Sequence, residues 1–404
     1  MKTAVVSTVL LASIASTSAF PLGRSITNTL GGLFTGKNKL TFDAKGNFKV
    51  VSFSDMHMGE RPGDGSWAPW GPEHDAATQV VHATVLDNEK PNYVVFNGDM
   101  MTGENVFKHN ATKYLDMVYA PTVARNIPFS SAHGNHDNAV RPEQHQPSGG
   151  NRIRINPLPH LSYTRSDVGP KPYGSGNYWV PVYATPTSWA PALILWFFDS
   201  RSFVSGTGNG PGPIPQAADY YWVDPDTVPS YIRAQRFLMK LLWWKVPPAL
   251  IFVHIPVQKA QILAPLPSPG DHDDEPDPST QGFYNNTYTG LDLPFWNEII
   301  ALDRSSNATG GNVLAITSGH DHGESWCARS KESSGIPICF NGHSGYGGYV
   351  TAHSGVRNGR VFGVRLEDLG KGREAPRVRT WNSYENNSTN DEVVLGPEYM
   401  AEYN

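Results

Sequence analysis

Cysteine is scarce, with only Cys327 and Cys339 in 404 residues. This excludes a fold held together by disulfides, because one closed loop of that length contributes roughly 3 kcal/mol of chain entropy and stiffens a single loop. Both cysteines lie in a stretch of loop-like composition, and in an oxidising compartment so close a pair is expected to bond. Long apolar runs are missing as well. Beyond the N-terminus no run of about 20 apolar residues occurs, so no stable membrane insertion is expected. Positive charge is not in excess either. A formal net charge of −5 and a pI near 6.3 argue against nucleic acid or an anionic membrane as the main partner. Finally, no internal repeat and no linker separates two cores.

The first residues carry Lys2, an apolar run from Ala4 to Ile14 and small residues ending Thr17-Ser18-Ala19, the three parts of a secretory signal peptide. Cleavage is expected near Ala19, followed by a Gly/Thr/Asn-rich leader over 20–39 and a single domain over 40–404. Asn-x-Ser/Thr sequons at Asn110, Asn285, Asn307, Asn386 and Asn387 agree with passage through a glycosylating secretory pathway. The expected location is therefore outside the cell, with cell wall and vacuole left open as destinations. Oligomeric state is not legible.

Further along, Phe48 to Phe53 reads as an apolar strand, Asp75 to Asn88 as a helix, and Tyr93 to Phe96 as a second strand. A helical stretch from Leu115 to Arg125 then leads into a strand over Ile127 to Ala132. Repeated strand–helix–strand alternation predicts an α/β fold of stacked sheets covered by helices. The Pro/Gly-rich segment of about 138–185 reads as a long insertion without secondary structure, and 264–281, with Asp271, Asp273, Asp274 and Glu275, as an acidic loop. Strands are expected at Leu193–Phe198, Ala249–Val253, Asn312–Thr317, Arg360–Leu366 and Arg377–Trp381, and a helix near Tyr231–Trp244.

Five short polar clusters recur in order: Asp55-Met56-His57, Gly98-Asp99, Gly134-Asn135-His136-Asp137, His254, and Gly319-His320-Asp321-His322. All but one follow an apolar run directly, so their side chains are expected to project together from strand ends. An extended Asp-x-His presents both side chains on one face, letting Asp55 and His57 grip one ion. Carboxylate, imidazole and amide ligands suit Zn, Mn or Fe, and a close pair of such ions is common machinery for hydrolysing phosphate esters. Asp99 is the carboxylate suited to bridging. His136 offers a proton or charge to a bound phosphate, while Asp137 and Asp321 are candidates to accept a hydrogen bond from a neighbouring imidazole and fix its tautomer. His254, set among apolar neighbours, reads by itself as a core histidine. The other histidines, among them His74, His82, His109, His133, His145, His160, His272, His343 and His353, lack this context and are expected to be surface or structural. The Gly- and aromatic-rich stretch Cys339 to Tyr349 either lines the mouth of the site or forms a tight loop pinned by the disulfide.

These clusters, in this order, resemble the calcineurin-like metallophosphoesterase superfamily, and the text around Phe252–Pro256 and Gly319–Tyr349 resembles its secreted fungal and plant members near the purple acid phosphatases of the plant 28/29 type. The resemblance implies a four-layer αββα sandwich of two mixed sheets with the metal site at strand ends. It assigns one ion to Asp55, His57, Asp99 and His322 and the other to Asp99, Asn135, His254 and His320, with His136 and Asp137 as catalytic candidates. It further implies a small phosphate ester as substrate, a monoester first and a diester second. The chain departs from the purple enzymes at Thr102, where they carry a tyrosine that binds ferric iron, so a coloured site is not expected. A non-catalytic binding protein on the same fold is the rival from another class.

Overall fold

The computed structural model describes residues 38–399 apart from internal stretches, the longest being 60–70, 139–159, 169–175, 201–222, 258–267 and 274–282. The expected signal peptide, nearly all of the leader, and the sequons at Asn285 and Asn307 lie outside the described residues. The first half of the chain carries β1 (Leu40–Thr41), β2 (Asn47–Phe53), α1 (Pro72–Glu89), β3 (Tyr93–Asn97), α2 (Ala111–Ala124), β4 (Phe129–Ala132), a short α3 (Asn135–Asn138), β5 (Tyr178–Tyr183) and β6 (Pro191–Phe198). There follow α4 (Val228–Trp243), β7 (Ala249–Val253), β8 (Phe283–Tyr284), β9 (Thr287–Tyr288), α5 (Leu293–Asp303) and β10 (Val313–Ser318). The last elements are β11 (Cys327–Arg329), β12 (Pro337–Phe340), β13 (Asn358–Arg365), β14 (Val378–Tyr384) and β15 (Thr389–Leu395).

Two mixed sheets result, one ordered β1-β5-β6-β7-β10-β12-β11 and the other β15-β14-β13-β2-β3-β4, with β8 and β9 pairing separately. Strands β2, β3 and β4 run parallel, as do β6, β7, β10 and β12. Side chains alternate between two apolar environments along each of these strands. Val50, Val95, Phe197 and Phe252 pack in a core between the sheets. Their neighbours Val51 and Phe96 turn outward onto Val81, Val85, Val118 and Tyr119 of α1 and α2. On the far side Trp196, Phe198, Ile251 and Val253 meet Tyr231, Ile232 and Met239 of α4 and Phe295, Trp296 and Ile299 of α5. Three cores therefore separate four layers, the expected αββα sandwich. Strands buried on both faces are why these segments read as continuous apolar runs.

Helix α1 begins a turn earlier than its apolar spacing indicates. Pro72 occupies the first turn, where its missing N–H is no loss, and Glu73 and Asp75 complement the helix N-terminus. Other expectations need correction. The segment 138–185 does not stay irregular, since Tyr178–Tyr183 is β5, a strand inside the larger sheet, antiparallel to β6. Its all-buried face and Pro181 conceal the period-two signal. Cys327 and Cys339 do not sit in a loop; they are opposite residues of the β11–β12 ladder, bonded with Cα atoms 4.1 Å apart and facing the inter-sheet core. Helix α5, β1 and the polar edge strand β15 are further elements beyond those expected.

His82 on α1 is fully buried, edge-on to Phe53 and Phe96, with Nε2 3.0 Å from Thr122 Oγ1. Burial lowers its pKa from 6.5 to about 3. The unfolded chain thus takes up a proton below pH 6.5 that the folded chain refuses, and this contribution to stability is lost as pH falls. The His82→Gln variant is expected to lose part of the wild-type pH dependence of unfolding free energy below pH 6.5, at most about 1.4 kcal/mol per pH unit. Denaturant titrations across that range check it, and an unchanged slope contradicts the assignment.

Candidate metal centre

Parallel strands deliver the five clusters to one edge of the sandwich. Asp55 and His57 follow β2, Asp99 follows β3, Asn135 and His136 follow β4, His254 follows β7, and His320 and His322 follow β10. The seam is held by Asn97, the last residue of β3. Its side-chain Nδ2 donates to Thr317 O at 3.0 Å, and its carbonyl accepts from His254 Nδ1 at 2.8 Å, so one residue ties both sheets together beside the ligands. His254 O in turn accepts from Gly319 N–H at 3.0 Å.

The extended conformation expected for Asp-x-His is absent. Asp55, His57, Asp99 and His320 all lie in the left-handed region, with φ of 56°, 47°, 47° and 76°. Such backbone costs non-glycine residues roughly 1 kcal/mol or more each and collects where surrounding contacts enforce it. Here Asp55 N–H donates to Gly98 O, and the N–H groups of Met56 and His57 both donate to Asp99 O. Turned inward by these bonds, the side chains converge although the strand has already ended. Gly134 is required by the same crowding, because a Cβ there would run into Asp99 Oδ1.

Ligand atoms of Asp55, His57 and His322 lie within 4.8 Å of one another, as do those of Asp99, His254 and His320, and those of His57, Asp99 and His136. His57 Nε2 and His322 Nε2 face each other at 3.1 Å, with Asp55 Oδ1 3.5 Å from the latter. Asn135 Oδ1 faces His320 Nδ1 at 3.0 Å. Asp99 stands between the groups, its Oδ2 3.7 Å from His57 Nε2 and 3.1 Å from His254 Nε2. Each carboxylate also accepts a backbone N–H from another cluster, Asp55 from His320 at 3.1 Å and Asp99 from His136 at 2.8 Å.

Burial alone would raise both carboxylates, but the charge on His254, with the imidazoles of His322 beside Asp55 and His136 beside Asp99, holds them below the usual range, Asp99 far below. His254 itself is depressed by burial and raised by Asp99 and Asp55, ending at about 9. Burial, then the charge on His254, drives His320 down to about 3. His57 is driven well below its ordinary value, mainly by burial.

The donor set fits metal ions. His254 commits Nδ1–H to Asn97 O, leaving Nε2 buried, close to Asp99 and without a hydrogen-bond partner in line. His322 commits Nδ1–H to Tyr349 O at 2.7 Å and so turns a bare Nε2 toward Asp55 and His57. Paired imidazole nitrogens with carboxylate oxygens match Zn, Mn or Fe.

Asp137 has a different place from the one its neighbours suggested. Its carboxylate accepts the N–H groups of Met100, Met101 and Gly134, so it binds together the loops carrying Asp99 and Asn135. Burial and the nearby Asp99 charge raise it to about 6. Asp321 is buried. His343, grouped in the sequence with histidines lacking context, packs tilted against the His322 ring with centroids 4.0 Å apart, while Tyr349 lies parallel on that ring, also at 4.0 Å. The Gly-rich stretch therefore lines the site, with Gly348 packed against His322 and His57. Thr102, noticed only as a departure, has Oγ1 3.1 Å from His57 Nδ1. Asn97 was missed altogether; a polar residue closing an apolar strand is the one signal it offered.

A family model described as Calcineurin-like phosphoesterase matches residues 48–345. The chain belongs to this family of metal-dependent phosphoesterases. Phosphatase DCR2 of Saccharomyces cerevisiae is 28% identical over 316 residues, covering 76% of this chain and 50% of its own length. The Arabidopsis thaliana protein named Probable inactive purple acid phosphatase 29 is 27% identical over 368 residues, covering 85% of this chain and 84% of itself. A solved dimetal phosphatase from Danio rerio aligns with 86% of this chain and 98% of its own at 14% identity and a TM-score of 0.48. The match therefore spans half of the yeast relative and most of the plant one.

Asp99→Asn removes the charge shared by the two ligand groups. Metal affinity is expected to fall at least about tenfold, read by elemental analysis after saturation and desalting, with circular dichroism to verify folding. A folded variant retaining the wild-type metal content would contradict the position given to Asp99.

Proposed function

We propose that this chain is a secreted phosphomonoesterase working with two metal ions. The observation that carries the reading is Asp99, whose carboxylate lies against His57 on one side and His254 on the other. We assign one ion to Asp55, His57, Asp99 and His322 and the second to Asp99, Asn135, His254 and His320. Bound there, such a pair polarises a phosphoryl oxygen and lowers the pKa of water, the nucleophile. The protein's own part is to hold the ligands in fixed tautomers and to supply His136. That residue is steadied by its backbone bond to Asp99 and stands 5.0 Å, ring to ring, from His57. We give it the task of contacting the phosphate and protonating the leaving oxygen, with Asp137 supporting the loop that carries it. The preference for monoesters draws on the relatives' names as phosphatases.

Hydrolysis of p-nitrophenyl phosphate is expected to exceed that of bis-p-nitrophenyl phosphate, to vanish on chelation and to return with one of Zn, Mn or Fe added singly. His136→Ala is expected to lower kcat by about a hundredfold or more while metal content stays the same. Faster diester turnover would move the assignment to a phosphodiesterase. A metal-loaded protein inert toward both esters would favour the second reading, a non-catalytic binding protein, for which the word inactive in the plant relative's name speaks.

Secretion draws on the N-terminal sequence, the disulfide, and Asn386 and Asn387, both exposed on the β14–β15 turn. Protein from the culture medium is expected to begin near Phe20 and to lose mass on treatment with peptide N-glycosidase. An intact Met1 in the mature protein would rule the proposal out.

A further inference from the structure

On the outer face of the larger sheet, α4 exposes a surface that the phosphoesterase reading does not use. Its sequence, VPSYIRAQRFLMKLLW, contains no acidic residue. Positions 237, 241 and 244 share one helical stripe, and there Phe237 is 63% exposed, Leu241 50% and the C-cap residue Trp244 88%. Large apolar side chains so placed mark an interaction surface. Beside the stripe run the exposed Arg233 and Lys240 and the half-buried Arg236. Between α4 and α5 opens a cleft of about 550 Å³ lined by Arg236, Lys240, Asn297, Arg304 and Ser305 among others. The acidic residues of α5 offset this charge only in part, leaving Lys240 and Arg304 unanswered by either of them. Asp303 is buried beneath the helix, where it accepts the N–H groups of Asn312 and Val313. Glu298 is shared by Arg233 at 2.6 Å and Arg236 at 3.5 Å. Arg236 Nη1 is buried and has no hydrogen-bond partner.

We propose that this face docks on an anionic phospholipid surface, Phe237, Leu241 and Trp244 entering the interface while the α4–α5 cleft receives a phosphate-bearing headgroup. An exposed helix face split into aromatic or aliphatic and cationic halves is the pattern that lies in a membrane interface. Charge complementarity selects this occupant over a second copy of the chain, because a two-fold contact would bring two like-charged cationic faces together. The net charge of −5 belongs to the whole chain and hides this local concentration of cations. Helix α4 connects the parallel strands β6 and β7, so its C-terminal end lies at the start of β7, opposite the strand end that carries His254. Docking there leaves the metal centre open.

Co-sedimentation of the full chain with vesicles of phosphatidylcholine alone, and of phosphatidylcholine mixed with phosphatidylserine, tests the proposal. Wild-type protein is expected to pellet with the mixed vesicles and not with the neutral ones, and to be released by salt. Lys240→Glu with Arg304→Glu is expected to weaken binding by roughly fivefold or more for each cation. Phe237→Ser combined with Leu241→Ser and Trp244→Ser is expected to abolish binding, with hydrolysis of a soluble ester unchanged in both variants. Because every substituted side chain is at the surface, circular dichroism should match wild type. Equal pelleting with both vesicle types, binding that survives in both variants, or light scattering showing a dimer that the Ser variant abolishes would each overturn the proposal. These outcomes are independent of whether the chain hydrolyses esters.

Discussion

Two carboxylates buried side by side at the seam of two sheets set the terms for the rest of the molecule. Asp55 and Asp99 are almost completely withdrawn from water, and removing each charge from solvent costs several kcal/mol unless something opposite in sign answers it. His254 carries the answering charge in the chain itself, and around it stands a shell of imidazoles, His57, His320 and His322, each oriented by a neighbour that is not itself a ligand candidate or by another cluster. Thr102 faces His57, Asn97 O takes the proton of His254, Asn135 faces His320, and Tyr349 O takes the proton of His322. At His57, His254 and His322 the contact leaves Nε2 turned toward a carboxylate oxygen, a disposition that a cation completes.

The fold is arranged to make that possible. Parallel strands bring five chain segments to one edge. Asn97 keeps the two sheets in register where they meet, and the apolar cores on both faces of each sheet keep the strand ends from shifting. Left-handed backbone at Asp55, His57, Asp99 and His320 then turns side chains inward at positions where an extended chain would send them apart. Strain of this kind is sustained because neighbouring clusters share hydrogen bonds, His320 N–H on Asp55 and His136 N–H on Asp99. Loss of one cluster therefore disturbs another.

Much of this was legible in the chain itself. Ala249–Val253 read correctly as a strand because five apolar residues end at a histidine and a proline. The ordered clusters pointed to one site because carboxylate, amide and imidazole groups recur together at strand ends in the order of a known ligand set. Less could be read where a signal depends on distant contacts. Tyr178–Tyr183 looked irregular because Pro181 interrupts it and both faces are buried. The turn geometry at Asp55 depends on Gly98 O and Asp99 O, about forty residues away in sequence. His343 gained its role only when the Gly-rich stretch folded over His322. Asn97 was invisible for the same reason, since its partners Thr317 and His254 come from the other sheet.

Anomalous X-ray scattering from crystals of the metal-loaded protein, recorded at the absorption edges of zinc, iron and manganese, tests the central claim most directly. Two peaks flanking the Asp99 carboxylate are expected, one contacted by Asp55, His57 and His322 and one by Asn135, His254 and His320. A site without a peak after loading, or a peak bound by other residues, would contradict it.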